Sequence, residues 1–414
     1  MIKIRELSSG IKVILDKTDY VSSVAIGFWV KTGSVNEDSK YAGISHFVEH
    51  MLFKGTENRS AHDIARDADN LGCNLNAFTS RETTCYHLKT LSENLIPSTE
   101  ILIDMLVNSR FDKKEMTRER KVIMEEIKMT KDVPDEDVQD TIFKLVHSAN
   151  SYGKSIIGTN TSLRNITQEV MKNYVRDRYT KDNILIAIAG KFDEDEIIEY
   201  LEGKMDSLKD SVETDDLRVG EYKPSYSSKI KDIEQSHFFL GKPAISLDDD
   251  RYYAYAVANS ILGGSMSSRL FQSVREQQGL AYSVYSLISS GSFVGGVYIY
   301  AGVAHESIEK AVLAICAELR KFEDSLTQDD VNKAKTQLKS SFIFGRESVA
   351  ARMYSLGRNM TLLNKVKTEE DVLNAIDKVS LEDVKEVARE LANIKDYSAA
   401  CVSTRKINWK KLLK

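Results

Sequence analysis

Ser45-His46-Phe47-Val48-Glu49-His50-Met51-Leu52-Phe53 is the stretch on which the reading of this chain turns. Its apolar residues Phe47, Val48, Met51 and Leu52 follow helical rather than alternating spacing. On a helix, His46 and His50 stand at i and i+4, so both imidazoles leave one face about one turn apart. Two nitrogens placed in this way reach a single zinc ion at about 2.0–2.1 Å. Glu49, three residues after His46, borders the same face, where its carboxylate can approach a water on the metal. With 7 histidines in 414 residues, H-x-x-E-H arises by chance in roughly one such chain in a hundred.

A zinc used in catalysis takes three protein ligands and leaves a fourth position to water. Residues 118–129 form a candidate helix with two adjacent glutamates, and helical phase separates them. Glu126 lies one turn from Val122 and Ile123 and two turns from Glu119, a face read as inward and partly apolar. Glu125 shares its face with Lys121 and Lys128, an arrangement suited to ion pairs in solvent. Glu126 is therefore the expected third ligand. Glu119, two turns earlier on the same face, is placed to hydrogen-bond a ligand from behind. The same donor set accepts manganese or cobalt as well as zinc.

Outward from this helix, the order of elements repeats. In the first half, residues 21–29 read as a strand, 31–40 as a polar turn, and 42–53 as a helix. A second helix at 61–71 stops at Gly72, and strands follow at 74–79 and 83–88. In the second half, a strand at 237–240, an acidic turn at 247–251 and a helix at 252–262 come first. A helix at 267–278 then stops at Gly279, ahead of strands at 281–289 and 293–300. Gly72 and Gly279 lie half a chain apart, as an internal repeat predicts. Long helices at 113–131 and 162–178 fill the first half, and 209–229, rich in Asp, Ser and Glu with Gly220 and Pro224, reads as a linker. The expected fold class is α+β: two similar domains, each an antiparallel-rich sheet packed with helices. They are a zinc-binding catalytic domain at 1–208 and a metal-free homologous domain at 230–414. The helix at 252–262 carries no H-x-x-E-H, so one zinc per chain is expected.

The 57 basic and 62 acidic residues give a net charge of −5 with no basic stripe, which argues against nucleic acid as a partner. A composition of 42% hydrophobic and 29% charged residues is that of a soluble globular chain. Residues 1–17 lack the apolar stretch of a secretory signal. No run approaches the ~18 apolar residues of a membrane span, so no membrane partner is expected. Cys73, Cys85, Cys316 and Cys401 are scattered without C-x-x-C spacing, which fits a reducing compartment and a cytoplasmic location. Cys73, Cys85 and His87 match no zinc module and read as core. Gly263-Gly264 is followed by no Lys-Ser/Thr and reads as close helix packing rather than a phosphate loop. His62, His147, His237 and His305 lack ligand-spaced partners. Residues 132–137, with Pro134, read as the acidic opening of a helix.

H-x-x-E-H is the inverted form of the zincin motif. Together with Glu126, with Gly33-Ser34-Val35-Asn36-Glu37 and with Asn76-Ala77-Phe78-Thr79-Ser80-Arg81-Glu82, it resembles the pitrilysin and mitochondrial processing peptidase family. Leu262-Gly263-Gly264, residues 267–271 and Arg275-Glu276-Gln277-Gln278-Gly279-Leu280-Ala281-Tyr282 resemble that family's metal-free domain. The likeness runs from about Leu7 to Asp396 and is to the short bacterial two-domain type. It departs at Gln277-Gln278, where relatives more often carry basic residues, and at Cys85 and His87. The resemblance implies His46, His50 and Glu126 as zinc ligands, Glu49 as general base and Glu119 as a supporting acid. It implies Arg275 and Tyr282 as a pair that the metal-free domain brings over the site. On the residues alone, Tyr282 at a strand start reads more simply as a packing side chain.

The activity implied is a zinc endopeptidase acting on unfolded peptides or presequences. The peptide is expected to add as a strand along Asn76, Ala77 and Phe78. The rival is a non-catalytic or partner-dependent peptide-binding subunit. A homodimer is expected, with a heterodimer as the alternative.

Overall fold

Along β3 (Ser23–Val30), Val24, Ile26, Phe28 and Val30 point to one face and Ala25 and Trp29 to the other, and all are buried. A strand buried on both faces belongs in the middle of a sheet with both sides covered. β6 (Ile184–Gly190) repeats the pattern, with Ile184, Ile186 and Ile188 in one core and Leu185, Ala187 and Ala189 in the other. These two strands pair at the centre of a six-stranded sheet. It is completed by β1 (Lys3–Glu6), β2 (Lys12–Lys17), β4 (Asn74–Thr79) and β5 (Thr84–Leu91), in the order β1-β2-β6-β3-β5-β4. Only β2 and β6 pair in parallel; the other neighbours are antiparallel. The structure is a computed structural model that describes residues 2–211, 215, 217 and 219–414. Val212, Glu213, Thr214, Asp216 and Arg218 of the expected linker lie outside the described residues.

The second sheet comprises β7 (Tyr226–Ile230), β8 (Ser236–Ala244), β9 (Ala281–Ser290), β10 (Gly295–Val303) and β11 (Ser398–Ser403), in the order β7-β11-β8-β10-β9. Here too one pair, β7 with β11, is parallel and the rest are antiparallel. Strand for strand this is β2-β6-β3-β5-β4 over again. The repeat suspected from Gly72 and Gly279 is thus a repeat of topology and pairing sense. The chain is a mixed α/β protein with two helix-packed sheets.

On one face of the first sheet lie α1 (Ile44–Leu52), α2 (Ala61–Asn70), α3 (Leu95–Asn108) and α4 (Lys113–Asp132), which share a core with the β3 and β6 side chains. The other face is covered by the helix Val349–Leu363, which buries Val349, Met353, Leu356 and Met360 against Trp29, Cys85 and Leu185. Its Arg352 forms a buried two-pronged pair with Asp16 of β2, at 2.6 and 2.8 Å. In the second sheet, α5 (Pro134–Val146) plays the corresponding part. Its Val138, Ile142, Phe143 and Val146 pack on Phe239, Tyr298, Ala400 and Val402.

The two compact units are accordingly not the two sequence halves. One comprises Met1–Ile127, Lys154–Asp216 and Phe344–Thr368; the other Lys128–Gly153, Leu217–Ile343 and Glu369–Lys414. Segments 1–208 and 230–414 each lend one helical stretch to the other's unit.

Two expected helices differ in detail. The helix expected over 162–178 is broken into Asn160–Asn165 and Gln168–Arg178, because Ile166 is extended and Thr167 caps the second piece through the Val170 N–H. The stretch expected as a helix over 267–278 is wound as a π-helix over Phe271–Gln277. The acidic opening at 132–137 is as expected, with Pro134 in the first turn of α5. Among the described residues no helix is long and apolar enough to cross a membrane.

The packing of the helix Val349–Leu363 on β3 gives a test with opposite signs at two glycines. A Cβ at Gly357 would lie 2.0 Å from Trp29 Nε1, whereas one at Gly345 meets nothing within 4 Å. Alanine is the better helix former by about 1 kcal/mol, but overpacking a core costs roughly 1–3 kcal/mol. Gly357→Ala should therefore destabilise the protein by roughly 1–3 kcal/mol. Gly345→Ala should leave stability unchanged or raise it by up to about 1 kcal/mol. Denaturant unfolding of both variants reads the difference, and a Gly357→Ala protein as stable as its parent contradicts the packing.

Candidate metal centre

The first N–H groups of any helix lack partners within it. At α1 they are met from outside by Glu37, whose two carboxylate oxygens accept from Gly43 N at 2.7 Å and Ser45 N at 2.9 Å. A carboxylate there also faces the positive end of the helix dipole. Gly43 has φ 90° and lies against Gly158, where a side chain on either residue would strike the other's backbone. Lys154 donates to the Glu37 carbonyl, and Ser45 Oγ hydrogen-bonds Tyr174 Oη at 2.7 Å. Burial pushes Glu37 up to about 7, against the opposing pull of the Ser45 and Gly43 amides and Lys154. Phe47, Val48, Met51 and Leu52 are all buried in the core between helix and sheet. Helix α1 is thus fixed at its start and along one side, and His46 and His50 are presented from the remaining face.

Helix α4 supplies the third donor. Met116, Glu119, Ile123 and Ile127 are its buried residues. Val122, expected to face inward, is half exposed, because Ile123 and Ile127 set the inward direction and Val122 lies about 100° away from it. Glu126 therefore stands at the rim of the buried face, while Glu125 is exposed. From the rim, Glu126 Oε1 comes to 3.8 Å from His46 Nε2, and Oε2 to 3.8 Å from His50 Nε2. The donor atoms of all three residues lie within 4.8 Å of one another. Among the described residues this is the one group of three His, Cys, Asp or Glu side chains gathered tightly enough to share an ion. A tetrahedral zinc with bonds of 2.0–2.1 Å sets its donors roughly 3.4 Å apart, so the spacing and the donor chemistry both fit. Burial, then the neighbouring His50, lowers His46 to about 4, which keeps its ring in the neutral, metal-binding form.

Glu119 is buried behind the cluster. Its Oε2 lies 3.2 Å from His50 Nδ1 and its Oε1 2.9 Å from Lys54 Nζ. Glu49 is held by Thr79, whose hydroxyl donates to Glu49 Oε2 at 2.5 Å. Burial raises the Glu49 carboxyl above its ordinary range, with the Thr79 hydrogen bond pulling the other way. Thr79 ends β4, the edge strand of the first sheet, which also carries Asn76, Ala77 and Phe78. Asn76 is exposed, Ala77 packs against the core that α1 shares with the sheet, and Phe78 meets Trp29 and Tyr354 edge-on at 5.6 and 5.8 Å.

Arg275 and Tyr282 belong to the other compact unit. The Arg275 guanidinium lies 4.7 Å from the Phe271 ring and 5.7 Å from the Tyr282 ring. Tyr282 is 73% exposed, so it is not a packing side chain in its own unit. Cys85 is buried, and His87 is hydrogen-bonded to Tyr354 at 3.0 Å. His147, His237 and His305 each have hydrogen-bond partners, in Tyr298, Tyr300 and Ser236. Sequence reasoning missed Glu37, Thr79 and Lys54. The first two stood in the quoted landmark stretches, and Lys54 lies one helical turn beyond His50.

The buried Glu37 carboxyl makes stability depend on pH. A carboxyl that holds its proton more tightly folded than unfolded gives stability that is complete below about 4.5 and lost as pH rises through about 7. Glu37→Gln has no such proton. The parent's stability relative to this variant should fall by roughly 2–3 kcal/mol between about pH 5 and about pH 7.5, then level off. Denaturant curves at stepped pH measure this, and a difference that does not change with pH contradicts it.

Two family models match the chain: "Insulinase (Peptidase family M16)" over residues 12–160 and "Peptidase M16 inactive domain" over 165–338. An uncharacterized zinc protease of Bacillus subtilis is 38% identical over 404 residues, covering 97% of this chain and 98% of its own length. One from Rickettsia felis is 35% identical over 391 residues, 94% of each chain. Among solved structures, a protease from Helicobacter pylori superposes with a TM-score of 0.90 at 22% identity, covering 97% of this chain and 99% of that one. An M16 inactive-domain protein from Pseudomonas fluorescens gives 0.89 at 19% identity, with 99% of each covered. These last two speak for the fold, and the two family models with the whole-length relatives speak for descent. The chain belongs to peptidase family M16, in its short two-domain form.

Proposed function

We propose that the chain is a zinc-dependent endopeptidase acting on unfolded peptides, with His46, His50 and Glu126 as ligands and Glu49 as general base. The observation that carries this reading is the convergence of three donors from α1 and α4, with Glu49 on the same helix as the two histidines. Relatives named zinc proteases support it.

A zinc ion held by these residues would make a water more acidic and polarise a peptide carbonyl. Glu49 takes the proton that water gives up as its oxygen bonds to the carbonyl carbon, then passes it to the amine as the C–N bond breaks. Thr79 fixes Glu49 through one oxygen. Burial, by raising the carboxyl, brings its proton affinity nearer to that of the groups it serves. Glu119 accepts a hydrogen bond from His50 Nδ1–H and so leaves Nε2 to face Glu126. The edge strand β4 ends at Thr79, beside Glu49. A peptide adding to that edge needs an extended backbone, which disfavours folded substrates. Arg275 is suited to anchoring a peptide carbonyl or carboxylate, and Tyr282, largely exposed, to donating a hydrogen bond to a developing oxyanion.

The proposal extends to a homodimer in the cytoplasm, where the four free cysteines would stay reduced. Light scattering of the purified chain reads this part, and a monomer removes it.

Cleavage of an unstructured peptide mixture, followed by mass spectrometry, is the test of activity. Cleavage should vanish with chelator, return with zinc, and fall about 100-fold or more in Glu49→Gln. Zinc content should drop well below one per chain in Glu126→Gln and stay at one in Glu125→Gln. Equal losses from the two glutamates contradict the assignment of Glu126. One zinc per chain with no cleavage would instead favour the partner-dependent subunit.

A further inference from the structure

The structure assigns a part to Lys54 that goes beyond the ligands and the base, and it rests on the zinc reading above. We infer that Lys54 is a positioning residue of the metal site: its ammonium holds Glu119 in the orientation that accepts a hydrogen bond from His50 Nδ1–H and leaves Nε2 facing Glu126.

Three observations carry this. First, one carboxylate is divided between two partners, Glu119 Oε1 at 2.9 Å from Lys54 Nζ and Oε2 at 3.2 Å from His50 Nδ1. Neither oxygen can turn without breaking a contact. Second, the burial is unequal: the Glu119 side chain is 9% exposed and that of Lys54 31%. A carboxylate so enclosed, deprived of its cation, would keep only the His50 ring as a partner among the described residues, an outcome that low-dielectric surroundings penalise heavily. Third, Lys54 is itself fixed relative to His50. It follows the end of α1, where its N–H bonds to Met51 O at 3.0 Å while Phe53 N bonds to His50 O at 3.3 Å. The lysine stem therefore starts from the turn that closes the ligand helix, where a cation also suits the negative helix end. Glu119 and His50 supply the other two members of a chain that runs from solvent to the metal face: ammonium, carboxylate, imidazole.

A plain electrostatic role makes the opposite prediction. Removing a positive charge near a cation site should tighten zinc binding. Removing a positioning residue should weaken it, and groups behind a ligand are worth about 10–100-fold in metal affinity. The sign of the change thus separates the two.

Zinc affinity of the full chain, measured by competition with a chelator of known strength, is compared among five proteins: the parent, Lys54→Met, Lys54→Arg, Glu119→Gln and Lys54→Met with Glu119→Gln. Lys54→Met should bind zinc about tenfold more weakly, and Lys54→Arg should recover most of that loss. In the Glu119→Gln background, Lys54→Met should change nothing further. Unchanged or tighter binding in Lys54→Met overturns the inference, as does an equal loss in both backgrounds.

A second measurement needs no metal. Ring-nitrogen resonances of His50 in the metal-free chain should show the proton on Nδ1 in the parent and a mixture of tautomers in Lys54→Met. Identical His50 signals overturn the inference. If the parent binds no zinc at all, the peptidase reading fails, and the ring-nitrogen comparison still decides the role of Lys54.

Discussion

The site depends on the phase of two helices fixed by a shared apolar core. Phe47, Val48, Met51 and Leu52 of α1 and Met116, Ile123 and Ile127 of α4 are buried in one cluster. Fully burying side chains of this size contributes roughly 1.5–3 kcal/mol each. That packing turns His46 and His50 toward α4 and Glu119 and Glu126 toward α1, and it leaves little freedom to rotate either helix. Rotating α4 by one residue would carry Glu126 about 100° around the helix and dismantle the cluster. The polar contacts then lock what the core has aimed. Glu37 holds the start of α1, Thr79 holds Glu49, and Glu119 stands behind His50 between the ring and Lys54.

Much of this was legible in the sequence because helical phase is local. His46, Glu49 and His50 lie within two turns of one helix, and i+4 spacing alone places both imidazoles on one face. Glu126 could be preferred over Glu125 from the same periodicity, although Val122 proved half exposed. The inward face is centred on Ile123 and Ile127, so Glu126 lies at its rim. The strands around β3 and β10 were readable from β-branched and aromatic runs.

What the sequence did not disclose is what depends on distant partners. The carboxylate of Glu37 meets the Gly43 and Ser45 amides only once the chain has folded back on itself. The break at Ile166 and Thr167 is set by a cap that competes with a continuous helical pattern. The exchange of α5 and the helix Val349–Leu363 between the two compact units is invisible to any local pattern, since each helix is amphipathic wherever it packs. The repeat shows how one scaffold can gather a three-donor cluster in only one of its two copies, among the described residues. Both sheets keep the same strand order and pairing sense. The helix Tyr252–Gly263, which follows β8 as α1 follows β3, is instead lined by Ala254, Val257, Ala258 and Ile261.

The most direct measurement is anomalous diffraction at the zinc edge from crystals of the zinc-loaded chain. One peak per chain is expected, about 2.0–2.2 Å from a ring nitrogen of His46, a ring nitrogen of His50 and a carboxylate oxygen of Glu126. A peak held by other residues, or one that leaves Glu126 unbound, would contradict this assignment.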